Sequence, residues 1–201
     1  MSILQNPKNE ICYICKLLFQ QKLVSGTDGN ISIRANENEM YITPSGVSKR
    51  ALIEDDILRQ GFNGVVKEGN RPSSKEAGLH ILLYKHRPQV GAIIHTHPAA
   101  ATAFAACAMP LPQNVLIEAP LFLGETAIVP YAKPGSKELI DALDATIKAS
   151  DKPHDIFFLQ NHGVIVCGEN LSQAFDKMDA LENTARSIIY ANMLGGAVPI
   201  P

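Results

Sequence analysis

Charge of one sign is missing from this sequence. Eighteen Lys and Arg stand against 20 Asp and Glu, a formal net charge of −2. The basic residues are scattered, so no electrostatic footprint for a phosphate backbone exists and nucleic acid is excluded as a main partner. Long apolar runs are missing too. The most extended, around 99–111, is interrupted by Thr102 and Pro110 and falls short of a membrane span. Lys8, Glu10 and Lys16 break up the N-terminal apolar residues, so no secretory h-region forms. The expectation is a cytoplasmic protein with no membrane partner. Cysteine is scarce, and Cys12, Cys15, Cys107 and Cys167 lie in apolar surroundings that suit reduced thiols better than a disulfide framework. Cys12 and Cys15 make a C-x-x-C, but no second pair completes a zinc site, and their spacing sets both on one helix face. Internal repeats and domain linkers are absent, which leaves a single domain over 1–201.

What is present is an ordinary globular composition of 201 residues, 46% hydrophobic and 19% charged, enough to bury about 70% of the unfolded surface in one core. Apolar spacing predicts a helix over about 7–23, stopped by Ser25-Gly26. A hairpin follows over 30–34 and 39–43, and Phe62-Asn63-Gly64-Val65 signals a second one. Ser73 or Ser74 can cap a helix running to about His86, and 90–95 reads as a buried strand. An Ala-rich helix starts at Pro98. Strands are predicted at 115–117, 126–129, 155–160 and 164–167, with a helix from Ser136 to about Lys148. A closing helix covers about 171–193. Hairpins mixed with helices argue for an α/β fold, a three-layer α/β/α sandwich around a central, mostly antiparallel sheet.

The segment Ile93-Ile94-His95-Thr96-His97-Pro98 carries the most chemical information. Side chains two apart on a strand share a face, so both imidazoles project together from its end. A second buried strand delivers His162 into the turn Gln160-Asn161-His162-Gly163. Glu76 stands in the first turn of the helix leading to the His95 strand. Three neutral imidazoles with an open position, and a carboxylate near it, are an arrangement in which zinc acts as a Lewis acid while the carboxylate moves protons. His80 lies one turn after Glu76 on the same face and reads as support for the site or as core. His86 and His154 read as exposed loop residues, and Glu118 and Glu125 flank a loop that sequence does not place.

With those residues in view, the chain resembles the class II aldolase/adducin family, the group containing fuculose-phosphate and rhamnulose-phosphate aldolases. The motifs are Gly26-Thr-Asp-Gly-Asn30-Ile-Ser, Ile42-Thr-Pro-Ser45-Gly46, Pro72-Ser-Ser-Lys-Glu76, His95-Thr-His97-Pro, Pro130-Tyr-Ala-Lys-Pro-Gly135 and Asn161-His162-Gly, in that order over roughly 11–193. The resemblance implies zinc, or another divalent transition metal, on His95, His97 and His162, with Glu76 as acid and base. It implies a phosphate cradle at Thr27, Asn30, Ser45, Gly46, Ser73 and Ser74, whose hydroxyls, amide and backbone N–H groups are neutral donors suited to an anion. The implied reaction is cleavage of a ketose 1-phosphate to dihydroxyacetone phosphate and an aldehyde, in a homotetramer. Lys75, standing between the serines and Glu76, departs from the fuculose-phosphate aldolase pattern. It looks like members that decarboxylate 3-oxo-tetronate 4-phosphates, where a further cation would neutralise an acid substrate. No tyrosine stands near Leu116 to act as proton donor, and Tyr131 is the candidate. The alternative outside enzymology is an adducin-head-like scaffold.

Overall fold

The computed structural model describes residues 6–200, so the ends of the expected domain, 1–5 and 201, lie outside the described residues. Helix α1 spans Pro7–Gln20. Asn6 caps it by accepting from the Lys8 amide at 3.0 Å, and Pro7 sits in the first turn, where no amide donor is needed. It ends at Gln20 rather than near residue 23 because Lys22 adopts a left-handed backbone with φ 61°.

Both expected hairpins form, β1 (Asn30–Asn36) with β2 (Glu39–Ile42) and β3 (Leu58–Gly61) with β4 (Val66–Glu68). Next come α2 (Ala77–His86), β5 (Ala92–Thr96) and α3 (Ala99–Ala106). The chain continues as α4 (Glu118–Phe122), β6 (Thr126–Val129), α5 (Lys137–Lys148), β7 (Ile156–Leu159), β8 (Gly163–Gly168) and α6 (Leu171–Met193).

The expected strand at 115–117 does not form. Its three apolar residues lie in a bent segment that runs straight into α4, where Val115 and Leu116 pack on the core and Ile117 stays exposed. A three-residue apolar run carries no periodicity to separate strand from loop.

The strands make one sheet in the order β4-β3-β2-β1-β5-β8-β7-β6. The pairs are antiparallel except for β6 and β7 at one edge, where α5 supplies the crossover a parallel pair requires. The fold is therefore mixed α/β with a mostly antiparallel sheet. Successive strand residues face opposite ways, and the two hydrophobic clusters sort accordingly. Ile94, Phe158, Val164 and Val166 join residues of α1, α3 and α6; Ile93, Phe157, Ile165 and Cys167 join residues of α2 and α5. Because β5, β7 and β8 are buried on both faces, they read as continuous apolar runs in the sequence.

Candidate active site

Strand pairing gathers the histidines at one end of the sheet. Asn30, opening β1, pairs with His95 near the end of β5, and Thr96 pairs with Val164 at the start of β8. The turn from β7 into β8, carrying His162, therefore falls beside His97. The rings of His95, His97 and His162 form a near-equilateral triangle with centroids 5.0, 4.9 and 4.9 Å apart. One nitrogen from each lies within 4.8 Å of the others.

The donor set fits a metal ion. His95 Nδ1 donates to the Val164 carbonyl at 2.9 Å, which leaves its Nε2 bare in the neutral ring, 3.3 Å from His97 Nε2. Ring nitrogens that close need a proton or a cation between them. A tetrahedral ion with bonds of about 2.0–2.1 Å spaces its ligand nitrogens about 3.3–3.4 Å apart. His162 Nδ1 and Glu76 Oε1 are buried without hydrogen-bond partners. Glu76 stands next to the triangle, Oε2 at 3.2 Å from His95 Nε2 and Oε1 at 3.4 Å from His162 Nε2.

Electrostatics suit the same purpose. Burial, reinforced by its histidine neighbours, pushes His97 down to about 3, and burial with His95 also lowers His162, against the pull of Glu76. Burial alone would raise the Glu76 carboxyl. The hydrogen bond and charge of His95, then His162 and the Asn30 amide, outweigh it and hold the group at about 2. Lowered His97 and His162 beside a carboxyl held well below its usual range favour a divalent cation over protons at this place.

Packing holds these groups in place. A Cβ on Gly163 would lie 2.3 Å from His97 Cδ2 and 2.7 Å from the Thr96 carbonyl, so only glycine lets the two strand ends approach. Pro98 starts α3 directly after His97, and the buried Glu182 of α6 accepts from the Ala100 and Ala101 amides at 2.9–3.1 Å, neutralising that helix terminus.

A cleft of about 270 Å³ opens over the triangle. Thr27, Asn30, Ser45, Gly46, Ser74 and Lys75 line it, together with Glu76, His97 and His162, while His95 is fully buried beneath. Two expected residues are not part of its lining. Ser73 is drawn to the sheet by a bridge with Pro44 and donates to Gln60 Oε1 at 2.5 Å. Tyr131 is 61% exposed on a loop of which Pro134 and Gly135, not Tyr131, reach the cleft. Neither serine caps α2 in the expected way: Glu76 is its N-cap, and Ser74 Oγ accepts from the Glu76 amide at 3.2 Å.

Asp28 lines the cleft without having been expected there. Lys49, fully buried behind it, donates its ammonium to the Thr27 carbonyl at 3.0 Å and the Val47 carbonyl at 3.4 Å and ties two cleft loops together. Nothing in a Ser-Lys-Arg run signals such a residue. Glu125 pairs with Lys152 and Glu118 lines a separate depression along α6, so neither lines this cleft. His86 pairs with Asp144, and His154 packs edge-on against Phe157.

Comparison with known proteins agrees with this geometry. The family model described as Class II Aldolase and Adducin N-terminal domain matches residues 9–189. An L-fuculose phosphate aldolase of Methanococcus maripaludis is 35% identical over 90% of this chain and 95% of its own length. A 3-oxo-tetronate 4-phosphate decarboxylase of Escherichia coli is 31% identical over 92% of this chain and 86% of its own. A solved L-fuculose 1-phosphate aldolase superposes with a TM-score of 0.88 at 31% identity, covering 98% of this chain and 91% of that one. The strand ends, the histidine triangle and these matches together make this chain a member of the class II aldolase and adducin N-terminal domain family.

Proposed function

We propose that this chain is a metal-dependent aldolase that cleaves a ketose 1-phosphate to dihydroxyacetone phosphate and an aldehyde through an enediolate. The observation that carries the reading is the convergence of His95, His97 and His162 beside ionised Glu76, under a cleft lined by neutral donors. Zinc or a similar divalent ion held by the three imidazoles supplies Lewis-acid stabilisation of the oxyanion charge that develops as the carbon–carbon bond breaks. In the cleavage direction the C4 hydroxyl gives its proton to the Tyr131 oxygen, which releases its own to solvent, the C3–C4 electron pair passes to the enediolate, and C3 takes a proton that Glu76 has picked up from solvent. In the synthetic direction the Glu76 carboxylate removes that proton. Thr27, Ser45 and Ser74 hydroxyls, the Asn30 amide and the backbone at Gly46, with φ 74°, bind the phosphate. Tyr131 protonates the aldehyde-derived oxygen from the rim, on the loop whose Gly135 packs against Lys75.

One observation favours a second reading. Lys75 lines the cleft next to Glu76, where its ammonium can steer a substrate carboxylate, and relatives named 3-oxo-tetronate 4-phosphate decarboxylase are 31–32% identical. In that reading carbon dioxide leaves in place of the aldehyde. The test is to incubate the protein with zinc and a panel of ketose 1-phosphates and 3-oxo acid phosphates, assaying triose phosphate and carbon dioxide separately. Triose phosphate from the first group is expected. Carbon dioxide from the second group alone transfers the assignment to decarboxylase. No product and no bound ion leaves an adducin-head-like scaffold.

The same reading includes a single three-layer domain, supported by helix residues packed on both sheet faces. It includes a homotetramer, for which the exposed Ile117, Leu121 and Phe122 offer apolar surface. A cytoplasmic location is supported by four free cysteines. Among the described residues, no helix is long and apolar enough to cross a membrane.

A further inference from the structure

Behind the cleft, β1 and α2 mesh with a matched repeat. Alternate residues of a strand advance about 6.6 Å, and residues four apart on a helix advance about 6 Å. Asn30, Ser32 and Arg34 of β1 accordingly meet Glu76, His80 and Tyr84 of α2 in step.

The hydrogen bonds in this seam have one possible direction. Asn30 Nδ2 lies 3.1 Å from Glu76 Oε2, so the amide presents its NH2 to the carboxylate oxygen. The Asn30 oxygen is then left for His80 Nε2, 2.5 Å away, and a carbonyl only accepts, so His80 donates from Nε2. A neutral ring protonated at Nε2 has a bare Nδ1, which accepts from Ser32 Oγ at 2.7 Å. Ser32 has one hydrogen, now engaged, so Tyr84 donates to it at 2.8 Å. Ser32 and His80 are fully buried and Tyr84 nearly so. Burial pushes His80 down to about 3 and raises Tyr84 beyond the ordinary phenol range, so both stay neutral and the chain orients without conducting protons. Arg34 closes the seam, its guanidinium 4.5 Å over the Tyr84 ring and bonded to the Tyr84 carbonyl at 2.8 Å.

We propose that His80 is a positioning residue for the reaction. Held as the Nε2–H tautomer by Ser32, it locks the Asn30 amide with its nitrogen toward Glu76, and so fixes both the carboxylate that moves the proton and the second amide hydrogen available to the cleft. The inference rests on the reading of Glu76 and Asn30 given above. An Asn30 free to flip would turn its oxygen on the carboxylate, repelling it from its place, and misplacement of a reacting group by about 1 Å can cost about 100-fold in rate.

The test has two arms on the full chain. In protein labelled with 15N-histidine, with the His80 signals assigned from His80→Leu, His80 should be neutral with Nε2 protonated and Nδ1 bare from pH 5 to 9. An Nδ1–H tautomer or a cationic ring overturns the proposal whatever the activity. The second arm follows loss of the C3 proton of dihydroxyacetone phosphate in D2O with zinc. His80→Gln, whose amide can accept from Ser32 and donate to Asn30, should keep kcat within about tenfold of wild type. His80→Leu should bind zinc at unchanged stoichiometry and lose about 100-fold in kcat. Ser32→Ala, which removes the donor to Nδ1, should fall between them and replaces His80→Leu should that variant fail to fold. Wild-type kcat in His80→Leu or Ser32→Ala overturns the proposal. A wild-type protein that exchanges no proton overturns the aldolase reading instead, and the nitrogen spectrum then decides the orientation of Asn30 without it.

Discussion

Lys49 is a charged side chain with no exposure, and burial lowers its pKa from the usual lysine value. It stays because two carbonyls, those of Thr27 and Val47, would otherwise be left without donors. Lys49→Met keeps the volume and removes the donor. Cleavage assays should show KM for a ketose 1-phosphate rising severalfold with kcat little changed, because the loops carrying Thr27 and Gly46 lose their tie. An unchanged KM would remove Lys49 from the cradle's support. The contrast with the histidines shows what a sequence discloses at this scale. His95 and His97 were legible because residues two apart on a strand must share a face, and His162 because a buried strand ended in a glycine turn. Lys49 was not, since its burial depends on a loop 22 residues away; His80 was legible as support or core from its place one turn after Glu76, but its partners, about 50 residues away, were not. Ser73 has the right chemistry for the cleft, but its bridge to Pro44 and its hydrogen bond to Gln60 hold it on the sheet.

At the scale of elements, the site depends on how closely β5 and β8 can end side by side. Gly163→Ala places a methyl group inside contact distance of the His97 ring and the Thr96 carbonyl, so His97 must move. Zinc affinity, measured by competition with a chelating dye, should weaken about 10- to 100-fold, as for loss of other groups that orient metal-binding histidines. Wild-type affinity would mean that His97 does not need its present position. Helices and hairpins were readable from spacing and turn chemistry, down to the start of a helix at Ser136, whose side chain accepts from the Leu139 amide of its first turn. The failure at 115–117 has a simple cause: no neighbouring strand offers it a ladder, and α4 occupies the chain immediately after.

For the whole molecule, alternation explains the two cores, but the strand order was not written in any local pattern, since it depends on which edges remain to be paired. The buried histidines give the fold a pH dependence of definite sign. Unfolded imidazoles take up a proton near pH 6.5, whereas His80 and His97 in the folded, metal-free chain resist until about pH 3. Between those values the unfolded chain binds more protons, so stability falls as pH falls, by about 1.4 kcal/mol per pH unit for each such histidine. The Glu76 carboxyl, at about 2, adds a loss of the same sign at lower pH, below its ordinary range. Urea unfolding of metal-free protein between pH 6.5 and 4 should show this slope, and His80→Gln should flatten it. A stability independent of pH over that interval would mean that His80 and His97 are not held neutral. The account as a whole stands on the three imidazoles acting as one site. Elemental analysis of purified wild-type protein and His162→Ala tests this directly, with dihydroxyacetone phosphate proton exchange measured on the same samples. One divalent ion per chain in wild type, with both ion and exchange lost in the variant, is the predicted result. A wild-type chain that holds no ion yet exchanges the proton, with His162→Ala exchanging it equally fast, would contradict it.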